Sequence, residues 1–383
     1  MIQIVRREIN RILARPLYLF GLVIAPLFCF FFFTTLMEKG LPTGLPIAVV
    51  DMDDTPMSRT LTRQLDAFSQ TDVVLRTVDF GYARRQMQQG KVYGIFYIPD
   101  GLTNDATSGR QPRISFYMNH SYLIAGSLVF KDMRTMSVLA SGAAGRATRR
   151  AKGETESYIM GQLQPIVIDT HPIANPWLNY SVYLNNMLLP AIIQLLVLLM
   201  TVYAIGSEMK EGTADEWLSI ANGSMFRALI GKLTPYFISF VLMGLFCLTL
   251  LYHYLEFPLS GSFWTMALAM VMLIASSMSL AILFVVILPI FRLALSAASL
   301  IGVLSVSITG FSFPVFAMHP LLQKVALAFP LRHYFLVYVD VALRGTPIYY
   351  ILDHFVFFSV LIILPLLALP RLENMMLNHE YKM

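Results

Sequence analysis

Apolar residues in this chain come in long unbroken runs, interrupted in one place by a stretch of ordinary mixed polarity. Leu17 to Leu36 is the first run and holds four consecutive phenylalanines, Phe30 to Phe33. A helix needs about 20 apolar residues to cross a hydrocarbon core of about 30 Å, so this run predicts a membrane span. Val182–Ile205, Pro235–Leu255, Phe263–Leu288, Leu293–Phe313 and Ile351–Leu369 predict five more. Arg6, Arg7, Arg11 and Arg15 precede the first run, as basic residues precede a signal sequence. The run is too long for an h-region, however, and Thr34 to Glu38 offers no A-x-A-like cleavage site, so a retained span is expected.

Upstream, residues 1–16 read as a helix of their own. Ile2, Val5, Ile9, Ile12 and Leu13 recur at helical spacing, with Arg6, Arg7, Asn10 and Arg11 on the other face. This fits a helix lying in the inner membrane interface with its arginines toward lipid phosphates. The plainer alternative is a solvated helix start.

The mixed stretch, residues 37–181, predicts an α/β domain. Ile47–Val50 reads as a strand, and Asp51, Asp53, Asp54 and Pro56 as turn chemistry. Ser58 can cap a helix that carries Leu61, Leu65 and Phe68 on one face. Val73–Val78, Val92–Ile98 and Ile114–Met118 read as further strands, with a helix ending at Gly90. From Ser121 to about Gln164 the pattern is helical and broken near Gly153, as in a stalk leading back to the membrane. The expected fold class is an α-helical membrane protein with six transmembrane helices and an inserted extracytoplasmic α/β domain. Its transmembrane part covers 17–36 and 182–370, and 371–383 form a cytoplasmic tail.

Composition agrees. Of 383 residues 56% are hydrophobic and 13% charged, against about 25% charged in soluble domains. This excludes an ordinary soluble enzyme, a disordered chain and a basic nucleic-acid binder. Between Glu38 and Ser181 lie 15 of the 28 Lys/Arg and 13 of the 23 Asp/Glu, so the charge is concentrated in the soluble-like part. The N-terminus, the loop 206–234, the turn at Arg292 and the tail hold ten Lys/Arg, against three in loops 256–262 and 314–350. By the positive-inside rule both termini are cytoplasmic and 37–181 faces outward. The two cysteines, Cys29 and Cys247, lie in apolar runs and leave no pair for the soluble part.

The loop 206–234 is the most informative segment. Gly212 ends the extension of the second span, and Thr213 with Glu216 fits a T-x-x-E capping box opening a short helix. Trp217, Leu218 and Ala221 form its apolar face, Asn222 and Gly223 stop it, and Ser224 can cap the next helix. An exposed tryptophan there suits a docking knob for another protein. A helix resting on lipid headgroups fits equally well.

The run from Glu208 through Glu211 to Thr213, followed by Gly231, Lys232 and Pro235, resembles the corresponding loop of type-2 ABC exporter permeases. A second patch agrees: Gly310 to Pro314, Met318 to Pro320, Phe329 to Arg332, then Arg344 and Gly345. So do Ile47–Asp51 and Gly90–Pro99, which resemble the outward domain of the family's large-loop members. Met318, His319 and Pro320 depart from the family's direct Met-Pro. The resemblance implies a homo- or heterodimer of membrane subunits driven by cytoplasmic ABC ATPase subunits that bind ATP and Mg. The helix from Thr213, with Glu216 and Trp217, would be the coupling helix, braced by Glu208 and Glu211. Loop 314–350 would hold short helices dipping into the outer leaflet. Large-loop members are associated with drug-like, lipid-like and peptide cargo, some of them with a periplasmic adaptor, and with a bacterial inner-membrane location.

The remaining chemistry fits that division of labour. A phosphate-cradling loop needs G-x-x-x-x-G-K-[ST], but Gly223 lies too far from Gly231 and Leu233 follows Lys232. ATP hydrolysis is therefore expected on another chain. The predicted spans carry no charge near their midpoints, unlike proton-coupled carriers, which favours an apolar or amphipathic cargo. Asn186 and Gln194 in the second span and Ser299 in the fifth are candidates for the translocation path, the serines also suiting close helix packing. The aspartates of 51–54 do not complete a calcium loop, because Pro56 and Thr62 occupy its sixth and twelfth positions. The histidines lack metal-ligand spacing, and no nucleophile–base set is visible. The rival reading is an envelope receptor or scaffold whose outward domain binds a ligand or partner.

Overall fold

The computed structural model describes all residues except 109, 167, 168, 170, 172, 173, 177 and 378–383. The chain forms two compact units, one of residues 1–38 with 172–383 and one of residues 39–171.

The first unit begins with helix α1, Ile2–Ala14, which stops at an extended Arg15 because Pro16 follows. Helix α2, Pro16–Leu36, is the first candidate span. One of its turns widens to a π pattern over Phe20–Ile24, just before Pro26, which has no N–H to continue the ladder.

The second unit is a sheet with helices on both faces. In chain order it holds β1 (Leu45–Asp51), α3 (Pro56–Asp66), β2 (Thr71–Thr77), α4 (Phe80–Gln88) and β3 (Gly94–Ile98). Then follow α5 (Leu102–Thr107), β4 (Ser115–Met118), α6 (Leu123–Ala151) and α7 (Glu156–Leu163). The strand order is β2-β1-β3-β4, with β1 parallel to β2 and β3, and β4 antiparallel to β3. Successive side chains of a strand point to opposite faces, and β1 shows the consequence. Ile47 and Val49 pack with Leu61, Leu65, Val129 and Met133, while Ala48 and Val50 pack with Ala83 and Ile95. Helix α3 is capped by Thr55 rather than by Ser58. The two form a reciprocal capping box in which Ser58 is the third helical residue. Asp51 accepts from the amides of Asp53 and Asp54 and from the Ser58 hydroxyl, so its oxygens are committed to the turn.

The first unit resumes with α8 (Tyr180–Lys210), a short α9 (Ala214–Ile220), α10 (Met225–Tyr254), α11 (Phe263–Ile287) and α12 (Phe291–Ile308). Two short helices, α13 (Pro320–Ala326) and α14 (Pro330–Leu343), are bent by 81° to each other, and α15 (Leu352–Leu377) ends the described chain. Six helices (α2, α8, α10, α11, α12 and α15) are long and apolar enough to span a membrane. Helices α8 and α11 are mostly enclosed by the others. Helices α2, α12 and α15 leave residues such as Phe28, Phe32, Leu300, Val303, Val356 and Val360 uncovered. Such continuous apolar surface on fully hydrogen-bonded helices belongs in lipid.

Two expected boundaries move. The third span starts at Met225 rather than at Pro235, because Ser224 caps the helix and the bundle tolerates Pro235 inside it. The sixth continues past Leu369 through a 3-10 turn, Leu364–Ala368, containing Pro365, and takes up the first residues of the expected tail. Residues 378–383 of that tail lie outside the described residues.

In the second unit, a Cβ on Gly94 would meet Val129 at 2.8 Å and Met133 at 3.0 Å, so the absence of a side chain lets α6 lie on β3. Gly94→Val is expected to cost about 1–3 kcal/mol despite the better strand propensity of valine. Faster hydrogen exchange of the β1 and β3 amides in the intact chain checks this.

Candidate functional site

Helix α1 buries Ile4, Glu8 and Ile12, a row spaced by four. Arg7, Arg11 and Arg15 form a second row at the same spacing. The first row packs on α10, where Ile4 lies against Gly231 and Glu8 meets Lys232, and the arginine row meets carboxylates where α8 ends. Helix α8 closes in a Schellman turn: Thr213 N–H donates to the Glu208 carbonyl at 2.9 Å and Gly212 N–H to that of Met209 at 3.2 Å. Gly212 has φ of +67°, which a glycine adopts without strain. The turn leaves Glu208 on the last turn of the helix and Glu211 just beyond it.

Glu208 is fully buried and surrounded by donors. Arg7 engages it with both terminal nitrogens, at 2.9 and 3.1 Å. Arg11 bonds to the same carboxylate. Lys232 reaches it at 2.7 Å and the Thr213 hydroxyl at 2.5 Å. Lys232, on α10, is equally buried. Its ammonium also donates to both oxygens of Glu8, at 2.5 and 2.9 Å, and lies 5.3 Å from the ring centre of Trp217. Glu211 receives Arg11 at 2.7 Å and Arg15 at 2.8 Å. Glu216 stands 3.6 Å from Arg7. Three arginines and a lysine thus face four carboxylates. The buried members, Arg11 and Lys232 with Glu8 and Glu208, balance in charge and so can leave water, while Arg15, Glu211 and Glu216 stay partly in it. Burying unpaired ions would cost several kcal/mol each.

The structure places each expected residue of the loop. Glu208, Glu211 and Gly212 hold the positions just described. Thr213 precedes α9, but its hydroxyl is used by Glu208 and makes no cap bond, and Glu216 is exposed, so the expected T-x-x-E box does not form. Trp217 is not an exposed knob. It is fully buried, with its indole N–H donating to the Ala228 carbonyl at 3.2 Å, because α9 folds back on α10. The exposed aromatic of this loop is Phe226. Nor do Arg7, Arg11 and Arg15 turn to lipid phosphates, since Glu208 and Glu211 bind them. On α1 the uncovered residues include Ile2, Arg6, Ile9 and Leu13.

Sequence reasoning missed Glu8, the pairing of Arg7, Arg11 and Arg15, and the part played by Lys232. Two signals were available. One is an isolated glutamate midway between Ile4 and Ile12. The other is a lysine among the apolar neighbours Ile230 and Leu233.

The path candidates lie elsewhere in the bundle. Gln194 on α8 donates to the Ser305 hydroxyl of α12 at 2.9 Å. Asn186 donates to the carbonyl of Val182 at 2.8 Å. Both are buried, and their side-chain carbonyl oxygens have no partner among the described residues. Ser299 is half-buried on α12 and bonds to neither.

A bundle with six apolar spanning helices and a charged knot at one end is the architecture of a multi-pass membrane protein. A family model described as "ABC-2 family transporter protein" matches residues 16–369, and the chain belongs to that family. The family is a membrane component of transporters that works with an ABC ATPase subunit. No curated protein matches the chain. Residues 1–15, with three of the cluster's four cations, precede the matched region.

Removing one partner of a buried ion pair costs about 3–5 kcal/mol. Lys232→Met, which strands Glu8 and takes one cation from Glu208, is therefore expected to release α1, seen as rapid exchange of its amides. Adding Glu8→Gln should recover much of the protection, whereas additive losses would refute the pairing. The Glu211 carboxyl is held below the ordinary carboxylate range, first by hydrogen bonds from Arg15 and then by the charge of Arg11, against its partial burial. Its contribution to α1 docking is full above the unfolded value of about 4.3 and is lost as pH falls through the lower folded value. Protection of the α1 amides, their exchange corrected for its intrinsic pH dependence, is expected to fall on acidification below that range, with a smaller fall in Glu211→Gln.

Proposed function

We propose that this chain is the membrane-spanning permease subunit of an ABC exporter that moves an apolar or amphipathic substrate outward. ATP with Mg²⁺ is hydrolysed on a separate cytoplasmic ATPase subunit, since these 383 residues contain no G-x-x-x-x-G-K-[ST] run. The bacterial inner membrane is the expected site, with two permease subunits, alike or paralogous, forming the pathway. The ten-to-three bias of Lys and Arg supports cytoplasmic termini and an extracytoplasmic 39–171 unit.

The observation that carries this reading is the way α9 is tied down. Trp217 is sunk against α10, Thr213 is bonded to Glu208 of α8, and Glu216 faces Arg7 of α1. A push on the exposed side of α9 cannot move it alone. It must displace the ends of α8 and α10 and, through Glu208 and Lys232, helix α1 as well. That is what a coupling element requires: closure of two ATPase subunits at one end changes the packing of spans along their length. The exposed side of this loop, with Glu216, Ser219 and Phe226, is the face offered to an ATPase groove. Asn186, Gln194 and Ser299 remain our candidates for the translocation path, as polar groups on the two spans assigned to it.

The test uses the permease reconstituted with its ATPase. Glu211→Ala is expected to lower substrate-stimulated ATP hydrolysis about tenfold, within the usual range of coupling energies. Unchanged stimulation and transport would remove the coupling assignment. Phe226→Glu is expected to abolish copurification of the chain that carries the nucleotide motif.

A further inference from the structure

At the end of the bundle away from the charged cluster, α2 and α10 diverge and leave a groove of about 680 Å³. Its walls are two helical rows of the same spacing, Phe31, Thr34/Thr35 and Glu38 on one side and Phe246, Thr249/Leu250 and His253 on the other. Phe31 and Phe246 close its lower end with ring centres 6.4 Å apart. Tyr254, 78% exposed, and Leu255 stand at the mouth. The wall on α10 includes the π turn Leu250–Tyr254, a form of helix widening that is frequent at functional sites.

The chemistry of the lining is one-sided. Two of its hydroxyls are engaged within their own helices: Thr34 donates to the Phe30 carbonyl at 2.7 Å and Thr249 to that of Leu245 at 2.9 Å. They can still accept. Glu38 is the only Asp, Glu, Lys or Arg in the lining, and among the described residues it forms no ion pair. An exposed carboxylate above aromatic faces, over an apolar floor, complements a cationic head on an apolar body. The ammonium gains Coulomb attraction and cation–π contact, and the chain lies on Phe246 and Leu250. An anionic head would face Glu38 with no lysine or arginine in the lining to offset it.

We propose that this groove is a binding site for an amphiphilic organic cation, entered sideways from the lipid, with Glu38 receiving the charged head and Phe31, Phe246 and Tyr254 the apolar body. Its volume is that of an ordinary small-molecule site, about 300–1,000 Å³. The site is distinct from the polar positions on α8 and α12, and it needs no ATPase to fill.

The experiment uses the full chain in phosphatidylcholine nanodiscs with labelled dodecyltrimethylammonium, and empty nanodiscs as the background. Saturable binding at one site per chain is expected, with dodecyl sulfate binding at least tenfold more weakly. Glu38→Gln is expected to weaken the cation about tenfold, Glu38→Asp to retain most of the affinity, and Phe246→Ala to weaken both probes. Glu38 is exposed and unpaired, so its variants keep the fold, which an unchanged gel-filtration profile verifies. No saturable binding above background, equal binding of the sulfate, or an unchanged affinity in Glu38→Gln would each overturn the proposal. Binding is read without ATP, so its failure leaves the coupling reading standing, and a failure of coupling leaves the groove standing.

Discussion

Glu208 and Lys232 are both withdrawn from water at the end of the bundle, and neither could stay ionised there without the other and its neighbours. Glu208 lies on the last turn of α8 and Lys232 on α10, so their contact joins two spanning helices. Glu8 draws in α1 through the same ammonium, and Thr213 ties the short α9 to the same carboxylate. Three segments within residues 208–232 and a fourth near the N-terminus thus meet at one pair of charges. Such a knot contributes less to net stability than its many bonds suggest, because desolvation offsets much of the attraction. What it secures is geometry: each buried charge has one arrangement that satisfies it, so the helix ends can shift only together.

The rest of the bundle is organised by a different requirement. Lipid exerts no pull between helices, so packing depends on close fit and on polar groups that find partners inside. Helices α8 and α11 are the enclosed elements, and α2, α12 and α15 leave wide apolar faces. Gly206 and Gly302 show how close the fit is. A Cβ at the first would meet the ring of Phe291 at 2.2 Å, and at the second the side chain of Leu195 at 2.5 Å. Where α2 and α10 diverge instead, the groove below Glu38 opens.

Much of the layout could be read from the chain. The run from Phe263 marks α11 within a residue, because an enclosed span needs continuous apolarity over a fixed length. The aspartates at 51–54 could be assigned to a turn, because Pro56 and Thr62 occupy positions where a calcium loop needs other residues. Gly212 could be placed at a helix end from residue type alone. Trp217 could not be placed this way. Its neighbours Leu218 and Ala221 gave a correct apolar face, but nothing local says whether such a face meets a protein, a lipid or the chain itself. The arginines of α1 were misread for the same reason, since a lipid phosphate and Glu208 attract a guanidinium alike.

By itself, then, the sequence determined what depends on composition and period: which segments belong in lipid, which in water, and where helices must end. Hydrophobic transfer and backbone hydrogen bonding act locally, so their record is local. Tertiary structure alone decided which charges are partners. Glu8, Glu208 and Lys232 are separated by up to 224 residues, and their pairing follows from helix packing that no spacing along the chain encodes.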